Sequence, residues 1–363
     1  MRVITIGTGT RDVVLRGDFF RVVHDPKHLK KFGFPTGEAQ CFTLGSGGKI
    51  EIQEPIFALG GGAANAAVTF ARQGFVTEAL IKIGRDQVGE EILRTLKKEG
   101  VRPVPIFDKK LGTSYSLILI SPDGERTILN YRGASKDLVL SEIPKRDFKV
   151  DCAYVVPGAI SVPVVVSILK KLKQKGAFVA MNPSRHYIEI GAKKLRPILD
   201  LIDVIILNRE EGAFLTGKRY LDEKGIFRKF DEMVGGLAVM TDGPKGVMVS
   251  DGRRIYKAGI YKEKRVADRT GAGDSFGSGF VAGLLRQVSG ARFPASTLVT
   301  AGRQVLGKRK EWSQKEIEYA IRLGSANATS NVEEIGAQSG ILTRRQFETQ
   351  NRWKNLPINN SKI

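Results

Sequence analysis

A short run of small residues that ends in an aspartate, Asp268-Arg-Thr-Gly-Ala-Gly-Asp274, carries the residue types best suited to chemistry. Apolar residues follow at helical spacing, so the pattern predicts a glycine turn that leads into the N-terminus of a buried helix. Such a terminus offers unpaired N–H groups and a positive dipole to an anion. Asp274 could take a proton from a hydroxyl while the amides of Gly271, Ala272 and Gly273 stabilise charge on a transferring phosphoryl group, which is the chemistry of a kinase.

Two motifs resemble the signatures of the ribokinase-like (PfkB) carbohydrate kinases. The run from Asp268 to Asp274 is similar to their C-terminal signature, and Gly60-Gly-Gly-Ala-Ala-Asn65 is similar to their N-terminal glycine motif. Both stand in the family's order and separation, and the resemblance covers roughly residues 3–342. It implies ATP-dependent phosphorylation of a hydroxyl group of a sugar or sugar derivative, with Asp274 as the general base.

On the acceptor side, the resemblance implies that Asp12 binds sugar hydroxyls and that Gly61 and Asn65 bind the phosphoryl acceptor. Asp12 could instead cap a turn, and the glycines could serve helix packing alone. Gly62 stands where ribokinases often have a lysine, which weakens the case for ribose itself. Arg132 follows a predicted hairpin and could reach the acceptor or its phosphate, or simply be a surface arginine.

On the nucleotide side, Asn208-Arg-Glu-Glu211 is similar to the family's Asn-x-x-Glu motif, which implies that Glu211 helps to hold Mg²⁺ and its waters. An alternative for Glu211 is a first-turn carboxylate that complements a helix dipole. Thr241-Asp-Gly243 resembles the turn on the phosphate side of the nucleotide. Asn327, on a predicted helix of small residues, is the expected contact to the base. The sequence contains no Walker A motif, which excludes a P-loop enzyme.

A monovalent cation such as K⁺ is a further implication of the resemblance. Many relatives bind one between the position of Asp268 and the loop that contains Gly336-Ala-Gln338. Because such a site consists mostly of backbone carbonyls, the side chains leave open whether this chain uses it.

The order of elements predicts an α/β fold with a doubly wound, mostly parallel central sheet flanked by helices and a small β-sheet lid, as in ribokinase-like proteins. From residue 152 onward, strand-like and helix-like segments alternate, which is typical of parallel βαβ units with ligands at the carboxyl ends of the strands. The predicted domain spans residues 1–342, with lid segments at about 15–58 and 103–135. Residues 343–363 read as a basic tail, a last helix followed by frayed chain.

Composition limits the classes of protein that fit. The 363 residues carry a formal net charge of +20, with basic residues scattered and no nucleic-acid-binding motif, so a solvated basic surface is favoured over nucleic-acid binding. Two cysteines and three histidines are too few for a disulfide framework or a zinc site. No apolar run is long enough for a membrane span and no signal peptide is evident, so a cytoplasmic location is expected.

Two other functions stay open. A nucleoside kinase of the same fold, of the adenosine type, would need lid aromatics to stack a base, and Phe32, Phe34, Phe42 and Tyr115 are available. A basic binding protein that keeps the fold without the activity is the more remote alternative, against which the intact motif residues argue. By analogy with the family, two copies could pair through their lids.

Overall fold

The computed structural model describes residues 1–17, 20–29, 31, 38–42, 51–120, 126–144, 148–288 and 311–362. Its strands are β1 (Arg2–Gly7), β2 (Thr10–Arg16), β3 (Phe20–His24), β4 (Glu38–Phe42), β5 (Ile56–Gly60), β6 (Val76–Ile83), β7 (Arg102–Phe107), β8 (Tyr115–Ile120), β9 (Arg126–Tyr131), β10 (Cys152–Val156), β11 (Phe178–Met181), β12 (Val204–Asn208), β13 (Leu237–Thr241), β14 (Val247–Ser250), β15 (Arg254–Ala258) and β16 (Ile358–Lys362).

Its helices are α1 (Pro26–Leu29), α2 (Gly62–Arg72), α3 (Gln87–Lys98), α4 (Val162–Gln174), α5 (Arg185–Ile190), α6 (Ala192–Leu199), α7 (Arg209–Thr216), α8 (Glu223–Met233), α9 (Ala272–Gln287), α10 (Gln314–Val332) and α11 (Arg344–Thr349). Short 3-10 turns complete the described part of the chain.

A ten-stranded sheet with the order β16-β15-β14-β13-β12-β11-β10-β1-β6-β7 lies at the centre. The pairs from β7 to β13 are parallel, and β14 to β16 add antiparallel strands at one edge. After β1 the chain adds β6 and β7 on one side of it. It then crosses to the other side, where β10 lies next to β1. The strand order therefore reverses between β1 and β10, and in open α/β sheets ligands bind at the carboxyl ends of the strands at such a point.

The central strands are continuous apolar runs because helices cover both faces of the sheet. All residues of β10 and β11 are buried. Helices α4 to α8 pack on one face, through residues such as Leu169 and Phe227, and helices α2, α9 and α10 pack on the other, through residues such as Phe70, Phe280 and Ile321. This architecture confirms the predicted doubly wound α/β fold.

A separate four-stranded sheet with the order β5-β2-β8-β9 forms the lid. The predicted hairpin is confirmed, since β8 and β9 pair antiparallel. Two predicted lid boundaries are wrong, because the lid already begins with β2 at Thr10 and because β7 (Arg102–Phe107) pairs with β6 in the large sheet. The described part of the segment between β2 and β5 contains a two-stranded sheet of β3 and β4 and the short helix α1.

The C-terminal tail also differs from the prediction of frayed chain. Helix α11 is followed by β16, which pairs antiparallel with β15 and extends the central sheet. Trp353 is buried between them, and the hydroxyl of Tyr261 donates a hydrogen bond to its carbonyl at 2.7 Å. The tail is thus part of the folded domain. Among the described residues, no helix combines the length and the apolar composition that a membrane crossing requires.

Candidate active site

The N-terminus of α9 lies at the carboxyl edge of the central sheet and begins with a left-handed glycine. Gly271 has φ of 74°, and a Cβ at this position would lie 2.6 Å from the Cβ of Ala337, so only glycine fits. Among the described residues, the amides of Gly271 and Gly273 find no backbone acceptor, while the amide of Ala272 donates to the carbonyl of Arg269 at 3.3 Å. Free amides at a helix N-terminus favour an anion.

Asp274 lies in the first turn of α9, beside these amides. Burial raises the pKa of its carboxyl group, and a hydrogen bond from Asn65 opposes that shift by stabilising the ionised form. The Nδ2 atom of Asn65 donates to Oδ2 of Asp274 at 2.9 Å. A half-buried carboxylate with a raised pKa and one oxygen left free by Asn65 has the chemistry of a general base.

Asn65 itself is buried on α2 and its amide is engaged at both ends. Its Oδ1 atom accepts a hydrogen bond from Nε2 of Gln338 at 2.9 Å, and its nitrogen faces Asp274. The structure therefore places Asn65 against the candidate base, and its second N–H group is not used by either of these two hydrogen bonds.

Asp12, on lid strand β2, is the second buried carboxylate of the site. It is 6% exposed, and Thr10 donates a hydrogen bond to its Oδ1 at 3.1 Å. Burial is the main cause that raises the pKa of Asp12 to about 6, and the charge of Asp274 raises it further. A Cβ on Gly60 would lie 2.1 Å from Oδ2 of Asp12, so glycine at this position makes room for the carboxylate.

The glycine motif at the start of α2 closes the gap between the lid and α9. Gly61 has φ of 89°, and a Cβ there would lie 2.6 Å from the backbone oxygen of Thr8. A Cβ on Gly62 would lie 3.2 Å from Oδ1 of Asp274. The glycine backbone thus approaches both the end of β1 and the candidate base.

A cavity of about 250 Å³ joins the candidate base to the predicted nucleotide residues. It is lined by Asn182, Ile206, Leu207, Asn208, Glu211, Thr241, Arg269, Gly271, Ala272, Gly273 and Asp274. The structure thus brings together residues from the carboxyl ends of three parallel strands and the N-terminus of α9. Arg269 was not singled out from the sequence, although it lies inside the signature run and adds a positively charged side chain to the lining of the cavity.

Asn208 and Glu211 form a capping box at the start of α7. The amide of Asn208 donates to Oε2 of Glu211 at 2.9 Å, and the amide of Glu211 donates to Oδ1 of Asn208 at 2.8 Å. Burial raises the pKa of Glu211, and its Oε1 atom has no partner among the described residues. Glu211 therefore both caps the helix and presents a carboxylate oxygen to the cavity, where a hydrated hard cation would fit.

A second, narrower cavity of about 110 Å³ adjoins the first and has mostly apolar walls. Its lining includes Gly243, Pro244, Ile260, Phe276, Ala328 and Val332. The shape and chemistry suit a flat heteroaromatic ring.

Asn327 does not line this cavity, which corrects the expected contact to the base. It is fully buried, and its Nδ2 donates to the carbonyl of Ser275 at 2.8 Å while its Oδ1 accepts from the amide of Leu342 at 2.9 Å. Its amide instead links α10 to α9 and to the start of the C-terminal segment.

Asp268 is buried and links the signature run to the loop after α10. Its Oδ1 accepts the amide of Thr270 at 2.8 Å and its Oδ2 accepts the amide of Gly336 at 3.1 Å. The contact brings together the two segments expected to form a cation site. No cluster of three or more His, Cys, Asp or Glu residues that could hold a metal ion occurs in the described ranges.

Of the four aromatic residues singled out from the sequence, the structure describes the placement of Tyr115, which lies away from Asp12. Tyr115 pairs in register with Arg11, whereas Asp12 pairs with Ser116, and neighbours in register share a face of a sheet. Tyr115 therefore lies on the face opposite to Asp12. Phe32 and Phe34 lie outside the described residues, and the side chain of Phe42 is not described. Arg132 is exposed after β9 and lines neither of the two cavities.

Comparison with known proteins gives one family. The family model described as pfkB family carbohydrate kinase matches residues 36–344. The chain is 28% identical over 300 residues to the ribokinase of Haemophilus influenzae, covering 80% of this chain and 86% of that protein. It is 29% identical over 262 residues to the cytidine kinase of Thermococcus kodakarensis, covering 70% of this chain and 90% of that protein.

The fold is similar to that of a solved structure of the Arabidopsis thaliana ribokinase complexed with ribose and ATP. The TM-score is 0.70, the sequences are 20% identical, and the match covers 97% of this chain and 98% of that one.

Proposed function

The chain belongs to the pfkB family of carbohydrate kinases, which are phosphotransferases with alcohol acceptors, and we propose that it transfers the γ-phosphoryl group of ATP to a hydroxyl group of a sugar or sugar derivative. One observation supports this more than any other. Asp274, a carboxylate whose pKa is raised by burial, lies beside unpaired helix amides, and both line the cavity that also contains Asn208, Glu211 and Thr241.

In the proposed reaction, Asp12 accepts hydrogen bonds from the acceptor at the lid, and Asp274 removes the proton from the attacking hydroxyl. The oxygen then forms its bond to the γ-phosphorus as the bond to the β,γ-bridging oxygen of ATP breaks, and ADP leaves. The amides of Gly271 and Gly273, with Arg269, stabilise the charge on the transferring group. The lid keeps out water, which would otherwise accept the phosphoryl group.

Two cation sites, one for Mg²⁺ and one for K⁺, are part of the proposal. Glu211 would hold Mg²⁺ through water, and the ion, when bound, neutralises charge on the phosphates. The residues fit, because Glu211 lines the cavity and the helix cap uses only its Oε2 atom, which leaves Oε1 for a hydrated ion. A K⁺ ion at the contact between Asp268 and the loop at Gly336 would support the turn that presents the anion-binding amides.

The test is ADP release from MgATP over a panel of sugars, sugar phosphates, sugar acids and nucleosides. We expect Asp274→Asn to lower kcat by about 10²–10⁴ with nucleotide binding retained, because general-base assistance is worth this much. Asp137→Asn is the matched control, since that carboxylate is 69% exposed and lies outside the cavity. Excess EDTA should stop the reaction. An Asp274→Asn protein that turns over at the wild-type rate would show that Asp274 is not the base.

A nucleoside acceptor is the second candidate, favoured by the similarity to the cytidine kinase. The lid argues for the sugar, because Asp12 shares its face with Ser116 and Asn130, which are small or polar, while Tyr115 lies on the other face. An assay in which ribose, fructose, adenosine and cytidine compete as acceptors, with ADP release as the measured rate, separates the two candidates. Turnover with a nucleoside alone would replace our assignment of the acceptor.

A further inference from the structure

Two buried side chains and the half-buried carboxylate of the candidate base, from distant parts of the sequence, form one line of hydrogen bonds. Nε2 of Gln338 donates to Oδ1 of Asn65 at 2.9 Å, and Nδ2 of Asn65 donates to Oδ2 of Asp274 at 2.9 Å. Gln338 is 9% exposed and Asn65 is 3% exposed, so water does not replace either bond readily.

The chemistry of the groups fixes the direction of this line. An ionised carboxylate only accepts hydrogen bonds, so the amide nitrogen of Asn65 must face Asp274 and its carbonyl must face Gln338. If Asn65 flipped, its carbonyl would oppose the carboxylate and its NH₂ would oppose the NH₂ of Gln338. The donor of Gln338 therefore selects the orientation of Asn65 in which Asp274 receives a hydrogen bond.

We propose that Gln338 is a positioning residue, which acts through Asn65 to hold the carboxylate of Asp274 in place for proton abstraction. The proposal rests on the proposed role of Asp274 as the base. Gln338 does not line the cavity that contains Asp274, so its effect is indirect.

The backbone of Gln338 is anchored independently of its side chain. Nη1 of Arg72 donates to the carbonyl of Gln338 at 2.9 Å and to that of Ile341 at 2.8 Å, and Arg72 is itself paired with Glu99 at 2.8 Å. On the other side of the loop, the amide of Gly336 is held by Asp268. A change confined to the side chain of Gln338 should therefore leave the loop in place.

Other charged or titratable groups also surround Asp274 and must be held constant in a test. Asp12 on the lid and Tyr154 on β10 interact with it electrostatically, and Arg269 and Glu211 share its cavity. In the described residues none of them forms a hydrogen bond or an ion pair with Gln338, whose side chain bonds to Asn65.

The decisive measurement is the titration of the Asp274 carboxyl group by NMR in the full-length protein labelled with ¹³C at aspartate carboxyl carbons. The Asp274→Asn variant assigns the signal, and no acceptor or nucleotide is needed. We expect Gln338→Leu to move the titration midpoint to higher pH, because Asp274 loses a reliably oriented donor. Gln338→Glu should move it further in the same direction, since a carboxylate at 338 would attract the NH₂ of Asn65 away from Asp274.

A double-substitution cycle separates positioning from general loosening of the loop. Combining Gln338→Leu with Asn65→Ala should shift the midpoint no more than Asn65→Ala alone, because both changes break the same line. Ser339→Ala is the matched control, since the exposed hydroxyl of Ser339 bonds only within its own loop, and it should titrate like the wild type. A wild-type midpoint in both Gln338→Leu and Gln338→Glu, or additive shifts in the cycle, would overturn the proposal.

Activity gives an independent readout. With whichever acceptor supports turnover, Gln338→Leu should lower kcat about fivefold to tenfold at pH values below the titration midpoint of Asp274, because the charge-assisted hydrogen bond from Asn65 to Asp274 is weakened. The KM for MgATP should stay unchanged. A wild-type protein that phosphorylates nothing would reject the kinase reaction proposed above, while the NMR titrations would still decide whether Gln338 positions Asp274.

Discussion

Alanine at two neighbouring glycines of the signature run should have opposite effects on folding. Gly273 has an ordinary helical backbone, and a Cβ there would meet no atom within 4 Å. Gly271 has φ of 74°, and its Cβ would lie 2.6 Å from that of Ala337. Alanine at Gly271 therefore tests the packing of the fold, and alanine at Gly273 tests the open space where a ligand would bind.

The expected magnitudes follow from these contacts. Gly273→Ala should raise the free energy of unfolding by roughly 0.5–1 kcal/mol, because alanine is the better helix former. Gly271→Ala should lower it by about 2–5 kcal/mol, since the left-handed conformation and the overlap with Ala337 both cost stability. Gly273 also lines both cavities, so its added methyl group should weaken MgATP binding by at least about tenfold, or roughly 1.4 kcal/mol.

Denaturant unfolding and calorimetric titration with MgATP measure the two quantities on the same samples. Gly259→Ala is the control, because its Cβ would also meet no atom within 4 Å, its φ is not in the left-handed region, and it lines neither cavity. If Gly273→Ala binds MgATP as tightly as the wild type, the cavity at α9 does not hold the phosphates. If Gly273→Ala is less stable than the wild type, the space beside it is not open.

Two further predictions concern the acceptor and the tail. Burial raises the pKa of Asp12 to about 6, so the KM for the acceptor should rise as the pH falls through about 6 and the carboxylate becomes protonated. Asp12→Asn should remove this pH dependence. Initial rates measured against pH at fixed MgATP test both expectations. Deleting residues 357–363 removes β16 and exposes β15 as the sheet edge, so the melting temperature should fall and self-association should increase. An unchanged melting temperature and a monodisperse size-exclusion profile would contradict this second prediction.

The sequence predicted those features that depend on local pattern. The glycines and the apolar spacing after Asp274 specify the start of α9, and the alternation of apolar segments after residue 152 specifies the parallel strands. The tail illustrates what local pattern lacks. The strand Ile358–Lys362 carries no alternation of apolar residues, and it is a strand only because β15 offers a free edge.

The side-chain network of the site was harder to predict because it joins residues far apart in sequence. Asn65 and Gln338 are 273 positions apart, and neither residue type indicates that it will face the other. Asn327 failed for a related reason. On a helix of small residues, Ser325, Ala328 and Thr329 reach the cavity, whereas the helical turn directs Asn327 into the contact with α9. Residue type alone does not separate a buried amide that links helices from one that reads a base.

The acceptor depends on a finer property, the register of the lid. The glycine and aspartate motifs specify phosphoryl transfer, which kinases of different acceptors share, whereas the lid decides what lies against Asp12. Its strands place Ser116 and Asn130 on the face of Asp12, and Tyr115 and Tyr131 on the other. A slip of one residue would exchange these faces, and an aromatic pair would then stand where polar groups now do. Strand alternation in the sequence is the same in both registers, so the proposed sugar acceptor rests on the observed pairing at Asp12 and not on the sequence pattern.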